Sequence, residues 1–211
     1  MNVAALSAAL RRKLGTSAGD GMLTPDVLLD LLNEANTMLE AERDWPWRIT
    51  STTFVTVAGQ QEYAQATFAP ASDWLRTAEL RVAGSEPLTL RSVLDLDSRN
   101  PGGAQGRPWE FAFAGDSLLL SPTPDAVYTV THRYVRVPPV LSADSDSPLM
   151  PVMFRWAIVQ QAASLGFSRV GDDERAQVAE VAVDRWRARM LDDQRRSQGS
   201  VRVRVRSGSA L

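Results

Sequence analysis

The sequence reads GRPWEF at residues 106–111, SLLLSPTPD at 117–125, VYTVTHRYVRVPPVL at 127–141 and SDSPLMP at 145–151. Short runs of β-branched and aromatic residues between proline-rich turns are typical of strands. These runs lie between two segments with helical periodicity, so they predict a sheet region whose chain returns to helices at Pro148 and Pro151. The order of these runs along the chain indicates a fold, and we find no credible catalytic group within them.

Two helices are predicted before the strands. The first has apolar residues at helical spacing, namely Val3, Leu6, Leu10 and Leu14. The second begins at Thr24, Pro25 and Asp26, which supply a capping hydroxyl, a proline in the first turn and an acid near the positive end of the dipole. Its predicted apolar face comprises Val27, Leu28, Leu31, Leu32, Ala35, Met38 and Leu39. We expect this helix to end near Asp44, because Pro46 disfavours helical geometry in the residue before it.

The middle of the chain has the pattern of a β region. The candidate strands are ITSTTFVTV (49–57), WLRTAELRV (74–82), EPLTL (86–90), WEFAFA (109–114), SLLLSP (117–122) and VYTVTHRYVRV (127–137). A hairpin is predicted at 114–117, and a helical turn is predicted within 90–100. Because strand side chains alternate, Trp109, Phe111 and Phe113 are expected on one core-facing side.

The helical period returns after Pro151. One predicted stripe comprises Val152, Trp156, Val159 and Ala163. Gly171 then separates it from a last helix, which opens on the acids of 172–174 and has an apolar face of Ala179, Val183, Trp186 and Met190.

This arrangement predicts an α+β fold, with a discontinuous helical bundle and an inserted antiparallel β domain. The predicted helical domain comprises 1–47 and 148–198, and the β domain comprises 48–147. An extended C-terminal tail is predicted at 199–211.

Composition excludes several classes of function. The chain has 211 residues, a formal net charge of −2, no cysteine and one histidine, so it has no disulfide framework, thiol nucleophile or His-rich metal cluster. A dedicated nucleic-acid binder would carry a basic excess. We predict no membrane span and a product made in the cytoplasm.

Individual polar residues do not form a convincing catalytic, cofactor or metal site. His132 shares a strand face with Val130 and Tyr134, and no partner for catalysis is identified. Asp144 and Asp146 lack the further acids and the glycine of a calcium loop, so a solvated turn is the better interpretation. Spacing also does not single out a catalytic carboxylate pair among candidates such as Glu62, Asp73 and Glu110.

Two other features are candidates for interaction. Trp45 and Trp47 flank Pro46, where helix meets sheet, and are predicted to be domain-junction or subunit-interface anchors. The second feature is the tail, because residues 195–211 contain five arginines and no acid. Valine and arginine alternate in VRVRVR (201–206), which gives an extended chain one apolar edge and one cationic edge. We expect such a terminus to become ordered only on assembly.

Several segments together resemble the head-to-tail adaptor (connector) proteins of tailed bacteriophages, a group that includes tail tubular protein A and tail accessory factors. They are LLDLLNEANTMLEAERDWPW (28–47), TVAGQQEY (56–63), GRPWEF, LLLSPTPDAVYTVTHRYVRVPPVL (118–141), DSPLMP and GDDERAQV (171–178). The chain departs from the pattern after Tyr63, where AQATFAPASDW takes the place of an expected leucine and proline.

The resemblance implies a non-enzymatic virion protein at the head–tail junction. It implies a homo-oligomeric ring, commonly of twelve copies, beneath the portal protein and above downstream tail or nozzle proteins. Double-stranded DNA would pass through the ring without sequence-specific binding. On this interpretation the tail is a portal clasp, formed by Arg195, Arg196, Val201, Arg202, Val203, Arg204, Val205 and Arg206.

Two alternatives compete with the adaptor hypothesis. A tail-associated cell-wall hydrolase would need a cleft with two carboxylates, and a DNA-binding module would bind DNA tightly and in a salt-dependent manner. We favour the adaptor, then the hydrolase, then the DNA-binding module.

Overall fold

A computed structural model describes residues 1–15, 24–70 and 73–197. The α+β class predicted from the sequence is confirmed. The chain divides into two compact units, Met1–Pro46 with Val140–Leu211 and Trp47–Pro139. The predicted domain boundaries at 47/48 and 147/148 stay predictions, and the predicted tail of 199–211 lies outside the described residues.

The first unit is helical. Its helices are α1 (Val3–Leu14), α2 (Pro25–Ala41), α5 (Trp156–Arg169) and α6 (Asp173–Ser197), with a 3-10 turn at Val152–Phe154. All four apolar residues predicted for α1 are buried. Helix α5 packs closely on α1, because a Cβ on Gly166 would lie 3.1 Å from Leu14 Cδ2. A larger residue at position 166 would therefore require the Leu14 side chain to move by a few tenths of an ångström.

The beginnings of α1 and α2 have the caps that their sequences favour. Asn2 Oδ1 accepts a hydrogen bond from Ala5 N at 3.1 Å, and Thr24 Oγ1 accepts one from Val27 N at 3.3 Å. These side chains satisfy amides that have no partner within the helix. The predicted start of α2 at Thr24 is confirmed.

The predicted end of α2 near Asp44 is wrong by one turn. The helix ends at Ala41, and the chain then turns so that the indole Nε1 of Trp45 donates to the carbonyl of Leu39 at 2.8 Å. The indole thus satisfies one of the carbonyls that a helix leaves unpaired at its C-terminus. Burial of Trp45, which has no exposed surface, therefore ends the helix before Pro46 does.

Three other residues depart from the predicted helical faces. Val159 and Ala163 are fully buried on α5, but Trp156 is 42% exposed and Val152 is 60% exposed. Val152 lies in the 3-10 turn that precedes the helix, so the stripe predicted by a continuous α-helical period does not include it. Met38 of α2 is likewise exposed, whereas Asn36 and Glu40 of the same helix are buried.

The described residues of the second unit form nine strands in three sheets. One sheet has the order β1-β9-β3, another has β2-β7-β6-β4, and a third pairs β5 with β8. The strands are β1 (Ile49–Val55), β2 (Glu62–Ala64), β3 (Trp74–Val82), β4 (Thr89–Leu90), β5 (Gln105–Gly106), β6 (Glu110–Ala114), β7 (Ser117–Ser121), β8 (Thr123–Pro124) and β9 (Thr129–Arg136). The long strands pair in an antiparallel manner, while β4–β6 and β5–β8 are short parallel pairs.

Two short helices complete this unit. The predicted hairpin between β6 and β7 is confirmed, as is the predicted helical turn within 90–100, which forms α4 (Val93–Arg99) with Ser92 as its cap. Helix α3 (Gln65–Phe68) and strand β2 were not predicted. Helix α3 lies in the part of the chain that departs from the adaptor pattern after Tyr63.

The core of the second unit is aromatic. It contains Phe54, Tyr63, Phe68, Phe111 and Tyr134 together with Leu80, Val82, Leu88, Leu118, Leu120 and Val130. The predicted face of Trp109, Phe111 and Phe113 is only partly correct. Trp109 precedes β6 and is 54% exposed, whereas Phe111 is buried and Phe113 packs against the cluster. Glu110 and Ala112 are also fully buried, so both sides of β6 are covered.

Candidate interaction surface

The predicted portal-binding tail begins at the end of α6. Arg195 and Arg196 lie in the last turn of this helix, where cations interact favourably with the dipole. Arg195 Nη1 is 3.8 Å from Asp192 Oδ1, and its side chain is 78% exposed. The other tail residues named from the sequence, Val201, Arg202, Val203, Arg204, Val205 and Arg206, lie outside the described residues.

A shallow groove runs along the last turns of α6. Its lining comprises Met153, Phe154, Trp186, Arg189, Asp192, Asp193 and Arg196. Met153 is 62% exposed, whereas Phe154 beneath it is buried. The guanidinium of Arg189 lies 4.9 Å from the centre of the Trp186 ring, which is a cation–π distance. Exposed Met, Trp and Arg side chains together are characteristic of protein interfaces.

Helix α6 is held to the rest of its unit by Arg187. Its Nε donates to Glu42 Oε1 at 2.7 Å, and its Nη2 donates to Gln161 Oε1 at 3.1 Å. Its Nη1 also contacts two acids on α6, Glu180 at 3.1 Å and Asp184 at 2.9 Å. Burial lowers the pKa of Arg187, but the hydrogen bonds that it donates to Asp184, Glu42 and Glu180 outweigh burial and raise this pKa above its ordinary value.

Replacing Arg187 should therefore loosen α6. We expect Arg187→Met to lower the free energy of unfolding by about 2 kcal/mol, because four hydrogen bonds are lost and the carboxylates are left close together. Urea denaturation followed by far-UV circular dichroism measures this loss. Arg195→Met is a matched control on the same helix, with an expected change below about 0.5 kcal/mol because its single ion pair is exposed. Equal losses for the two variants would contradict the role assigned to Arg187.

The segment SDSPLMP is tied to the start of α1 by Arg155. The Arg155 guanidinium donates to three backbone carbonyls, those of Pro148 at 3.0 Å, Met150 at 2.8 Å and Met1 at 2.6 Å. Nearby, Val3 N donates to the carbonyl of Asp146 at 2.9 Å, and Ala4 N donates to that of Asp144 at 3.2 Å. The segment SDSPLMP thus has a structural role within the helical unit.

The paired aspartates of that segment form a turn. Asp146 Oδ2 accepts hydrogen bonds from Ala143 N at 2.8 Å and from Ser142 N at 2.9 Å. These bonds lower the pKa of Asp146, the bond from Ala143 being the larger cause. Its carboxylate is therefore used as a local acceptor. Within the described parts of the chain, no group of three or more His, Asp or Glu side chains could hold a metal ion.

Trp45 and Trp47 lie in different surroundings. Trp45 is fully buried and has the Arg43 guanidinium 5.4 Å from its ring centre. Trp47 is half-buried in a 3-10 turn at Pro46–Arg48. Their assignment as interface or junction anchors stays a prediction.

His132 is a buried structural residue of β9. It has no exposed surface, its Nδ1 lies 2.9 Å from the carbonyl of Phe68, and its Nε2 lies 2.9 Å from Thr77 Oγ1. Since a carbonyl only accepts, Nδ1 must carry the proton, and Nε2 then accepts from the Thr77 hydroxyl. Desolvation by burial lowers the pKa of His132, although the bond to Phe68 acts in the opposite direction. The neutral imidazole is thereby the form that the fold favours.

This depressed pKa predicts a pH dependence of stability. Below the ordinary histidine pKa of about 6.5, the unfolded chain takes up a proton before the folded chain does. The free energy of unfolding should therefore fall as the pH drops from about 6.5 through the pKa of His132 in the folded protein. Above about pH 6.5, the stabilising contribution of the neutral His132 should be complete. Urea denaturation of the protein and of His132→Gln across this range tests the prediction. A slope that is equal in both proteins would exclude His132 as its source.

The acids considered for hydrolysis are engaged by arginines or in strand pairing. Glu110 is fully buried, and its Oε1 accepts from Arg91 Nε at 2.9 Å, with Arg99 Nη1 at 3.7 Å. Asp73 Oδ1 accepts from Arg136 Nε at 2.8 Å, while its Oδ2 accepts from the Tyr134 hydroxyl at 3.0 Å. Glu62 lies in β2, opposite Leu119.

Sequence reasoning missed three structurally important arginines. Arg91, Arg155 and Arg187 each organise a site through partners distant in sequence, and nothing in their local pattern distinguishes them from other arginines. The exposed Met153 could have been suspected, because it follows two prolines in a segment without a regular apolar period.

The family model described as SU10 adaptor protein matches residues 1–206. No curated protein matches the chain. The match extends through Arg206 and thus includes the VRVRVR segment. Among the described residues, no helix is both long enough and apolar enough to cross a membrane.

Proposed function

The chain belongs to the SU10 adaptor protein family, which makes it a structural adaptor of a bacteriophage virion, and from this premise we propose that it forms a ring beneath the portal. The ring joins the head to downstream tail or nozzle proteins at the head–tail junction and continues the channel for double-stranded DNA. Twelve copies is the number proposed from the resemblance. The observation that carries this proposal is the family match over residues 1–206.

A closed ring requires two different complementary faces on each subunit. The helical unit and the β unit each expose apolar side chains. Examples are Val152, Met153 and Val178 in the first and Val55, Leu90 and Leu94 in the second. Exposed apolar groups of this kind are suited to contacts with neighbours, and these surfaces support a subunit that acts by binding.

The charge distribution supports passage of DNA without tight binding. The whole chain has a net charge of −2, and five of its basic residues lie after Gln194. The remainder is therefore clearly acidic, and such a surface makes few of the cationic contacts that produce strong, salt-dependent binding to phosphates. The basic tail is accordingly proposed as a clasp for the portal.

Deletion of residues 198–211 tests the clasp. We expect the shortened chain to keep its fold and to lose attachment to purified portal protein, because the alternating arginines and valines are removed. Mass photometry of the mixtures measures the attachment, and the mass gained per portal divided by 23.1 kDa gives the number of copies.

Deletion of 207–211 is the matched control for this experiment, since SGSAL contains no arginine. Attachment should persist in this control. If the deletion of 198–211 also left attachment intact, the assignment of the clasp to the tail would be wrong, although the ring itself could still form.

A further inference from the structure

Strand β1 forms one edge of the sheet β1-β9-β3 and is paired on one side only. Its partner is β9, which pairs with every residue of β1 without a register shift, and no other described strand pairs with β1. Beyond the end of β1, Thr56 N donates to the carbonyl of Tyr128, so the backbone of Thr56 faces β9. Successive residues of a strand face opposite neighbours. The residues whose amides and carbonyls face the open edge are therefore Ile49, Ser51, Thr53 and Val55.

The open edge of β1 lacks the features that protect edge strands. Short length, charged residues, prolines and bulges commonly keep such strands from pairing with other chains. Strands β2 and β4 have only three and two residues. Strand β3 has two register shifts and carries Arg76, Glu79 and Arg81. Strand β1 has seven residues, ITSTTFV, with no charge, proline or bulge, so its edge is suited to accept another strand.

The side chains of β1 complement a second copy of the same strand. In an antiparallel pair centred on Thr52, Ile49 lies opposite Val55 and Ser51 lies opposite Thr53. Ile49 and Val55 are 43% and 56% exposed, so each covers an apolar side chain of the other copy. Pairs of apolar residues and pairs of hydroxyl residues are favourable across strands, and β1 carries no charge that would repel its copy.

The backbone and the burial of β1 agree with the same register. Each of the four residues that face the open edge lies opposite another of the four, so their amides meet carbonyls. The side chains of these four are exposed, whereas Thr50, Thr52 and Phe54 alternate with them and are half-buried or buried. A shift by one residue would place exposed side chains opposite those on the core side. Centring on Thr52 also pairs all seven residues of the strand.

We propose that two copies of the unassembled chain pair through β1, antiparallel and centred on Thr52. The result is a continuous sheet of six strands, three from each copy. A two-fold contact closes after two copies, so it is separate from the contacts that build the proposed ring. In the free chain it keeps the edge of β1 from pairing with other proteins.

Single cysteines test the register, since the chain has no native cysteine. Thr52 lies opposite its own copy at a non-hydrogen-bonded position, where the two Cα atoms are about 4.5 Å apart and a disulfide can form. The two copies of Thr53 are diagonal neighbours, about 7–8 Å apart. We expect Thr52→Cys, oxidised by glutathione disulfide, to form linked dimers about tenfold faster than Thr53→Cys. A non-reducing gel of the isolated chain measures both rates.

A charge exchange tests the contact itself. The double variant Ser51→Lys, Thr53→Lys places lysines opposite each other, and Ser51→Glu, Thr53→Glu does the same with glutamates. Each variant alone should lose the dimer, which sedimentation equilibrium identifies as twice the chain mass of 23.1 kDa. An equal mixture should restore the dimer, because each lysine then lies opposite a glutamate. Both positions are exposed, so the fold should be kept, which far-UV circular dichroism checks.

Three results would overturn the proposal. One is a monomer mass for the wild-type chain at every concentration, and another is equal linking at positions 52 and 53. The third is failure of the mixed variants to restore the dimer, which would show that another face joins the copies. The experiments contain no portal protein, so their outcome is independent of the portal-attachment test.

Discussion

Trp45→Ala is expected to lower the free energy of unfolding by about 3–5 kcal/mol, the range for large aromatic residues removed from a core. Trp45 has no exposed surface, and its indole Nε1 donates a hydrogen bond to the carbonyl of Leu39 at the end of α2. The substitution therefore leaves a cavity and an unsatisfied helix terminus together. Urea denaturation followed by far-UV circular dichroism measures the change in midpoint and slope.

Trp45→Phe and Trp47→Ala are the controls. Trp45→Phe keeps most of the buried volume but lacks the indole donor, so we expect a smaller loss of about 1–2 kcal/mol. Trp47 is only half-buried, and its replacement should cost less than that of Trp45. A loss below about 1 kcal/mol for Trp45→Ala would contradict the structural role of this residue.

Arg155→Met is expected to lower the free energy of unfolding by about 2–4 kcal/mol. Three backbone carbonyls, those of Met1, Pro148 and Met150, lose a charged donor at once. The methionine retains the apolar stem, so the loss reports on the guanidinium rather than on packing. The same denaturation experiment measures it.

Arg155→Lys separates charge from geometry. Lysine keeps the positive charge but cannot present the planar fork of donors to several carbonyls. We therefore expect its stability to lie between those of the wild-type protein and Arg155→Met. If Arg155→Lys were as stable as the wild type, a point charge would be enough and the fork would have no special role.

Local patterns in the sequence predict the regular elements well. The α1 face is confirmed because Val3, Leu6, Leu10 and Leu14 recur at the helical period, and the start of α2 is confirmed because Thr24 and Pro25 are strong initiation signals. The β6–β7 hairpin follows in the same way from its turn residues. These signals act within a few residues, where propensity and periodicity are decisive.

The errors arise where distant contacts override the local pattern. Burial of Trp45 ends α2 before the proline does, and Val152 leaves the predicted stripe because a 3-10 turn precedes α5. Helix α3 forms where Phe68 enters the aromatic core. For the candidate site, the basic segment could be recognised from the sequence, but the groove of α6 depends on the packing of the 3-10 turn at Val152–Phe154.

The buried Glu110 affects how strongly two arginines of the β unit would bind a polyanion. It serves as a built-in counter-ion for Arg91 and Arg99, which remain 35% and 53% exposed. A phosphate that approached these arginines would compete with the Glu110 carboxylate, which is buried away from water. Few mobile ions would be released by such an encounter, and the entropy gain that normally holds DNA to basic proteins would be small. Arg91 and Arg99 are therefore expected to contribute little to salt-dependent binding of phosphates.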